Sequence, residues 1–254
     1  SANVITVNLW MLATGRIIAD LNGTPINGAS IRSMDNLESS LTYGGSLTWN
    51  FRLGRDENAS LSFDYFHTRF SNQVIADQEY DNSNVRLYNS SGPSRTDTYQ
   101  ADFNWTPATG FDILVTFRYN DTSVTLRRPD GSRATVEKPL TDSYKGLVNL
   151  QYATRFRRWV FDFTAQVNGP VRIPARDGSF ATEYSDPYPM FYAQVTRRLG
   201  VRTSIYLGCE NIAGFMQPSP VVWEGNVNGP TFNSSLIWGP LMGRKIYAGA
   251  RITF

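Results

Sequence analysis

The stretch that decides the fold runs from Phe111 to Asn120 and reads FDILVTFRYN. Phe111, Ile113, Val115, Phe117 and Tyr119 fall on one side, with Asp112, Thr116, Arg118 and Asn120 on the other. Apolar residues that recur with period 2 mark a strand with one apolar and one polar face, not a helix. Working outward, the same arithmetic holds at Trp159, Phe161, Phe163, Ala165 and Val167 opposite Asp162, Thr164 and Gln166. It holds at Leu47, Trp49, Phe51 and Leu53 opposite Ser46, Thr48, Asn50 and Arg52, at Leu61, Phe63 and Tyr65, and at Ala101, Phe103 and Trp105. Weaker copies run through Gly146 to Tyr152, Phe191 to Val195 and Val201 to Cys209. A clean last copy, Ile246, Ala248, Ala250, Ile252 and Phe254, ends the chain. With one more strand from the opening dozen residues, about ten strands are predicted.

The connections alternate as regularly as the strands. Short links are expected near 54–58, 107–110, 154–157 and 198–200, and long ones near 13–40, 71–94, 123–141, 169–187 and 211–243. An outer-membrane β-barrel has this design, with short periplasmic turns, long extracellular loops, an apolar face toward lipid and a polar face toward the lumen. A soluble β-sandwich also alternates apolar and polar residues, burying the apolar face between two sheets. Strand lengths near the roughly 9–11 residues of a tilted membrane-crossing strand favour the barrel. So do aromatics near strand ends, Tyr65, Trp105, Tyr119, Tyr152 and Trp159, placed like interfacial girdles.

Composition narrows the function classes. Across 254 residues, Lys plus Arg total 24 against 22 Asp plus Glu, so the net charge of +2 supplies no basic stripe and no nucleic acid is expected as a partner. One cysteine, Cys209, and one histidine, His67, remove disulfide frameworks, multi-cysteine zinc sites and most histidine-based catalysis. A mouth-of-barrel protease would have only His67 to use, and no enzyme activity is expected. Mean hydropathy is −0.33, which a barrel also shows because only alternate residues face lipid. Ser1 follows neither an initiator Met nor a leader, as expected of a processed end or a cut.

Three stretches carry a family resemblance: YGGSLTWNFRLGRDENASLSFDYFHTRFSNQVIAD from Tyr43, SIYLGCENIAGFMQPSPV from Ser204, and FNSSLIWGPLMGRKIYAGARITF from Phe232. From about Leu41 onward the chain resembles the TonB-dependent outer-membrane receptors, in particular their Bacteroidetes branch. The resemblance implies that residues 1–254 are the C-terminal part of an all-β, antiparallel transmembrane barrel of about 22 strands, with the plug domain and N-terminal strands absent. It implies an outer-membrane location in a Gram-negative bacterium. The implied activity is import of a bulky scarce nutrient, a ferric siderophore, haem or cobalamin, with energy from TonB, ExbB and ExbD. The implied partners are the remaining barrel, the plug, outer-membrane lipids and, in a glycan or peptide importer, a surface lipoprotein. A small self-closed passive pore is the alternative outside this class. No cofactor is expected.

Arg and aromatic residues in long links supply charge-assisted bonds and stacking area, which makes Tyr80, Tyr88, Arg127, Arg128, Arg133, Tyr184 and Trp223 the substrate-contact candidates. Tyr247, Gly249, Ile252 and Phe254 resemble the terminal-strand signal that barrel-assembly machinery reads. Arg52, Asp64, Asp102, Arg118, Asp162, Glu210 and Arg251 are expected on the lumen face, pairing with one another or with a plug.

Overall fold

The computed structural model describes residues 17–19, 24–25, 38–53, 58–77, 79, 85–90, 92–128, 130–175, 183–218, 220 and 237–253. In chain order the strands are β1 (Ile17–Ala19), β2 (Thr24–Pro25), β3 (Ser39–Arg52), β4 (Asn58–Ser71), β5 (Val74–Asp77), β6 (Val85–Asn89), β7 (Ser94–Ala108) and β8 (Phe111–Arg127). They continue with β9 (Arg133–Val136), β10 (Tyr144–Ala153), β11 (Trp159–Asn168), β12 (Arg172–Ile173), β13 (Glu183–Tyr184), β14 (Tyr188–Arg198), β15 (Thr203–Glu210) and β16 (Lys245–Ile252). Among the described residues, the one helical element is a single 3-10 turn at Arg155–Arg157. No described helix is long and apolar enough to cross a membrane.

Nine strands lie side by side in the order β16-β15-β14-β11-β10-β8-β7-β4-β3, all antiparallel, with β9 added to the end of β8. These are the nine strands read from the alternation; the one expected in the opening dozen residues lies outside the described residues. Their register explains why the sheet has two characters. Phe51, Ala59, Trp105, Ile113, Leu150, Phe163, Ala193, Cys209 and Ile246 are consecutive cross-strand partners, an apolar row spanning all nine strands. One residue along, Asn50, Ser60, Asn104, Leu114, Asn149, Thr164 and Tyr192 form a mainly polar row on the opposite face. A slip of one residue in any pairing would exchange the two faces, so one solvent-type requirement per face locks the register.

Aromatics bound the apolar face. Tyr65, Tyr99, Tyr119 and Tyr144 pair across four strands at one level, and Phe111, Tyr152 and Phe161 do so near the short turns. Eight residues of β8 separate the levels, about 21 Å along the barrel axis for a strand tilted about 40°. Within the apolar face itself, large residues stay exposed, including Leu47, Trp49, Phe63 and Phe163. β3 and β16 each pair on one side only among the described residues.

The short turns are local structures. At 109–110 the chain reverses through Gly110, whose φ of +82° and close approach to the Ala153 carbonyl leave no room for a side chain. The long links differ from the expectation of plain loops. The link over 71–94 contains β5 and β6, which join β1 and β2 in a four-stranded sheet of order β2-β1-β6-β5 whose β1 and β6 run parallel. β8 continues past Tyr119 to Arg127 and turns into β9. The link over 169–187 holds β12 and β13.

Candidate functional site

The long-link end of the sheet carries a packed cap, and the cap begins at a change of phase in β8. Up to Tyr119 the odd-numbered residues are the apolar ones; beyond it Thr122, Val124 and Leu126 are buried and apolar contact moves to the even face. Val124 and Leu126 pack with Ile75, Tyr88 and Ala134, with Val136 against them, so links 71–94 and 123–141 share one small core. Apolar burial contributes roughly 1.5–3 kcal/mol for each large side chain, and this core holds the two links together.

A buried polar cluster extends the cap to the third link. Arg172, wholly buried, donates from both terminal nitrogens to Glu79, at 2.9 Å to Oε1 and 2.6 Å to Oε2. The fork matches the two carboxylate oxygens, which is the strongest geometry available to such a pair. Burial pushes the Glu79 carboxyl up to about 7, with Arg172 pulling the other way. Asp77 accepts the Tyr88 hydroxyl at 2.7 Å and the Glu79 amide at 2.9 Å, and the Tyr88 oxygen accepts the Arg127 amide at 3.1 Å. Desolvation and the neighbouring Asp77 carboxylate push the Tyr88 phenol strongly up, so it stays neutral. Link 169–187 closes by Leu140 donating to the Arg172 carbonyl and Ser185 to the Val171 carbonyl, both at 3.0 Å.

Beside this cluster is an open recess of about 510 Å³ lined by Asn120, Asp121, Thr135, Glu137, Ser143 and Tyr184. The Tyr184 hydroxyl donates to Glu137 Oε2 at 2.6 Å, and Ser143 Oγ lies 3.2 Å from Glu137 Oε1. Glu137 raises the Tyr184 phenol above its ordinary value.

The sequence candidates therefore divide. Tyr184 is exposed and lines the recess; Arg127 is half-buried, Arg128 is exposed at the turn into β9, and Arg133 is exposed on β9. Tyr88 is 6% exposed, in the core on strand β6, with its hydroxyl engaged by Asp77 and Arg127. Tyr80 and Trp223 lie outside the described residues. Asp77, Glu79, Glu137 and Arg172 were not singled out from sequence. The one available signal was the phase change after Tyr119, which marks where the inner face begins to bury apolar side chains.

On the polar face the charged residues find mainly neutral partners. Asp102 accepts Thr116 and Gln100, Asp162 accepts Asn149 and Gln151, and Arg118 donates twice to Gln100. Glu210 and Lys245 form an exposed ion pair at 3.4 Å. In the terminal strand, Tyr247 and Gly249 lie on this face, with the Tyr247 hydroxyl 3.0 Å from Gln194 Oε1, while Ile252 is exposed; Phe254 lies outside the described residues.

Known structures share this fold. The chain is similar to the ferric-catecholate import receptor Fiu from E. coli K12, at 12% identity and TM-score 0.56, over 90% of this chain and 31% of that one. It is similar to the copper transporter OprC, at 14% identity and TM-score 0.61, over 98% of this chain and 35% of that one. It is also similar to the siderophore receptor PirA from Acinetobacter baumannii, at 16% identity and TM-score 0.55, over 85% and 32%. The fold is that of part of an outer-membrane β-barrel. The chain spans about a third of the length of these structures. No family model and no curated protein sequence matches it.

Proposed function

We propose that this chain is the C-terminal part of a plugged, TonB-dependent receptor barrel in the outer membrane of a Gram-negative bacterium, importing a ferric siderophore. The observation that carries the reading is the nine-residue apolar row from Phe51 to Ile246 with a polar row one residue along. A surface of that width needs hydrocarbon on one side and water on the other. Among the described residues the outer edges of β3 and β16 are unpaired, which inside a membrane would cost several kcal/mol per unsatisfied backbone group, so further strands are taken to close the sheet. The Bacteroidetes assignment rests on the three resembling stretches alone.

Tyr184, Arg128 and Arg133 are exposed, and in this reading a large anionic chelate meets them first. Capture by loops and passage through a rearranging plug require no covalent step. The one histidine and the one cysteine, His67 and Cys209, both stand on the apolar face, away from the lumen. Deleting the gene and measuring uptake of radiolabelled iron as siderophore complexes, haem and cobalamin, with and without TonB, tests the reading. Loss of one iron chelate in both the deletion and the TonB-deficient strain is expected. Unchanged uptake of all of them, or uptake independent of TonB, would overturn it.

A further inference from the structure

We propose that the apolar face carries a binding site for a phosphorylated, negatively charged acyl lipid, built across β3, β4, β7 and β8; the inference rests on the barrel reading for which face meets lipid. Four consecutive levels of cross-strand partners define it. Lowest, Leu47, Phe63, Ala101 and Phe117 pair in a row, and the small Ala101 between two phenylalanines opens a recess of about 460 Å³ walled also by Tyr65, Tyr99 and Tyr119. Gly45 widens it, since nothing lies within 4 Å of where a side chain would start.

The next level is the tyrosine belt, Tyr65, Tyr99 and Tyr119, with Tyr65 and Tyr99 rings 4.9 Å apart. Above it, Tyr43, His67, Asp97 and Asp121 pair. Asp97 is occupied: Tyr65 donates to it at 2.8 Å, His67 Nδ1 lies 2.7 Å away and Arg95 3.1 Å away. At the top, Arg69 and Arg95 stand directly opposite each other. Like charges so placed repel, and an anion between them removes the repulsion. Arg95 also reaches Asp121 at 3.0 Å, whereas Arg69 is exposed and pairs with no described residue.

Read vertically, the surface is an apolar recess, a belt of phenols, and a pair of guanidiniums. From the Phe111 level to the arginine level is twelve residues of β8, about 30 Å of height at a tilt near 40°, which is where headgroups begin above an apolar band of about 25 Å. An acyl chain fits the recess, its ester and glycerol region the tyrosines, and its phosphate the arginine pair, which is the charge and shape order of a membrane lipid. A free anion would use only the top level.

The test uses the full-length protein in detergent, with native mass spectrometry counting adducts after addition of phosphatidylglycerol, phosphatidylcholine with the same chains, or inorganic phosphate. Phosphatidylglycerol should be retained in preference to phosphatidylcholine. Arg69→Gln with Arg95→Gln should lower its retention roughly thirtyfold, as expected for two basic contacts to an anionic headgroup. Asp121→Asn should raise retention, and Ala101→Trp, which fills the recess, should lower it while the arginines remain. Equal retention of the two lipids, indifference to the arginine substitutions, or displacement by inorganic phosphate would overturn the site. Failure of the barrel reading shows separately, as a protein that neither enters vesicles nor migrates as a heat-modifiable band.

Discussion

The ring of Tyr206 lies over Gly249, its cross-strand partner, on the polar face between β15 and β16. Tyr247 lies in the same way over Gly208, and the two rings meet edge to face at 6.3 Å. A methyl group at either glycine would collide with the facing phenol. Such aromatic cover of strand glycines fixes register as well as area.

This pair changes what the terminal strand can be asked. Gly249→Ala is expected to destabilise the barrel by about 1–3 kcal/mol through overpacking alone, so a defect there does not by itself reveal an assembly signal. Gly249→Ala with Tyr206→Ala separates the two. Recovery of folded, heat-modifiable protein in cells indicates sterics, and a persisting defect indicates recognition of the strand by the assembly machinery.

Within the membrane-facing region, Arg in place of Phe163 should cost roughly 2–4 kcal/mol, and Arg in place of Thr164 far less. Thr164 is on the polar face, where its hydroxyl accepts from Asn149 at 2.8 Å. Denaturant unfolding in liposomes measures both, and equal costs would mean that the faces are assigned the wrong way round.

The Glu79–Arg172 pair should behave as a buried ion pair whose halves are costly alone. Arg172→Met is expected to cost about 3–5 kcal/mol of cap stability, and Arg172→Met with Glu79→Leu much less than the sum of the single changes. Hydrogen exchange over 74–89 and 171–185 reads the effect. An additive pair of small losses would show that the contact is not holding the two links together.

Topology has its own test. A cysteine replacing Ser132, at the exposed turn into β9, should react with an impermeant maleimide in intact cells, while one replacing Phe156, 74% exposed in a short turn, should react only after the outer membrane is opened. The reverse pattern would invert the protein.

Tyr88→Phe should weaken the cap by about 1–2 kcal/mol by removing the hydroxyl that donates to buried Asp77 and accepts the Arg127 amide. Tyr184→Phe should leave the cap intact, because Tyr184 is exposed. If Tyr184 meets cargo, its substitution alters uptake with no change in hydrogen exchange.

The period-2 pattern around Phe111 determined the strands, their two faces and the alternation of short and long links, because side-chain direction in a strand is a local property of the backbone. Local pattern also placed Cys209 on the apolar face. Only the tertiary structure decided that Glu79 meets Arg172, 93 residues away, that Tyr88 is core and Tyr184 is surface, and that Tyr206 covers Gly249. Those contacts depend on register between strands and on how three links pack over one end. Neither leaves a periodic trace in the chain, since each is a pairing of two distant positions rather than a repetition along one.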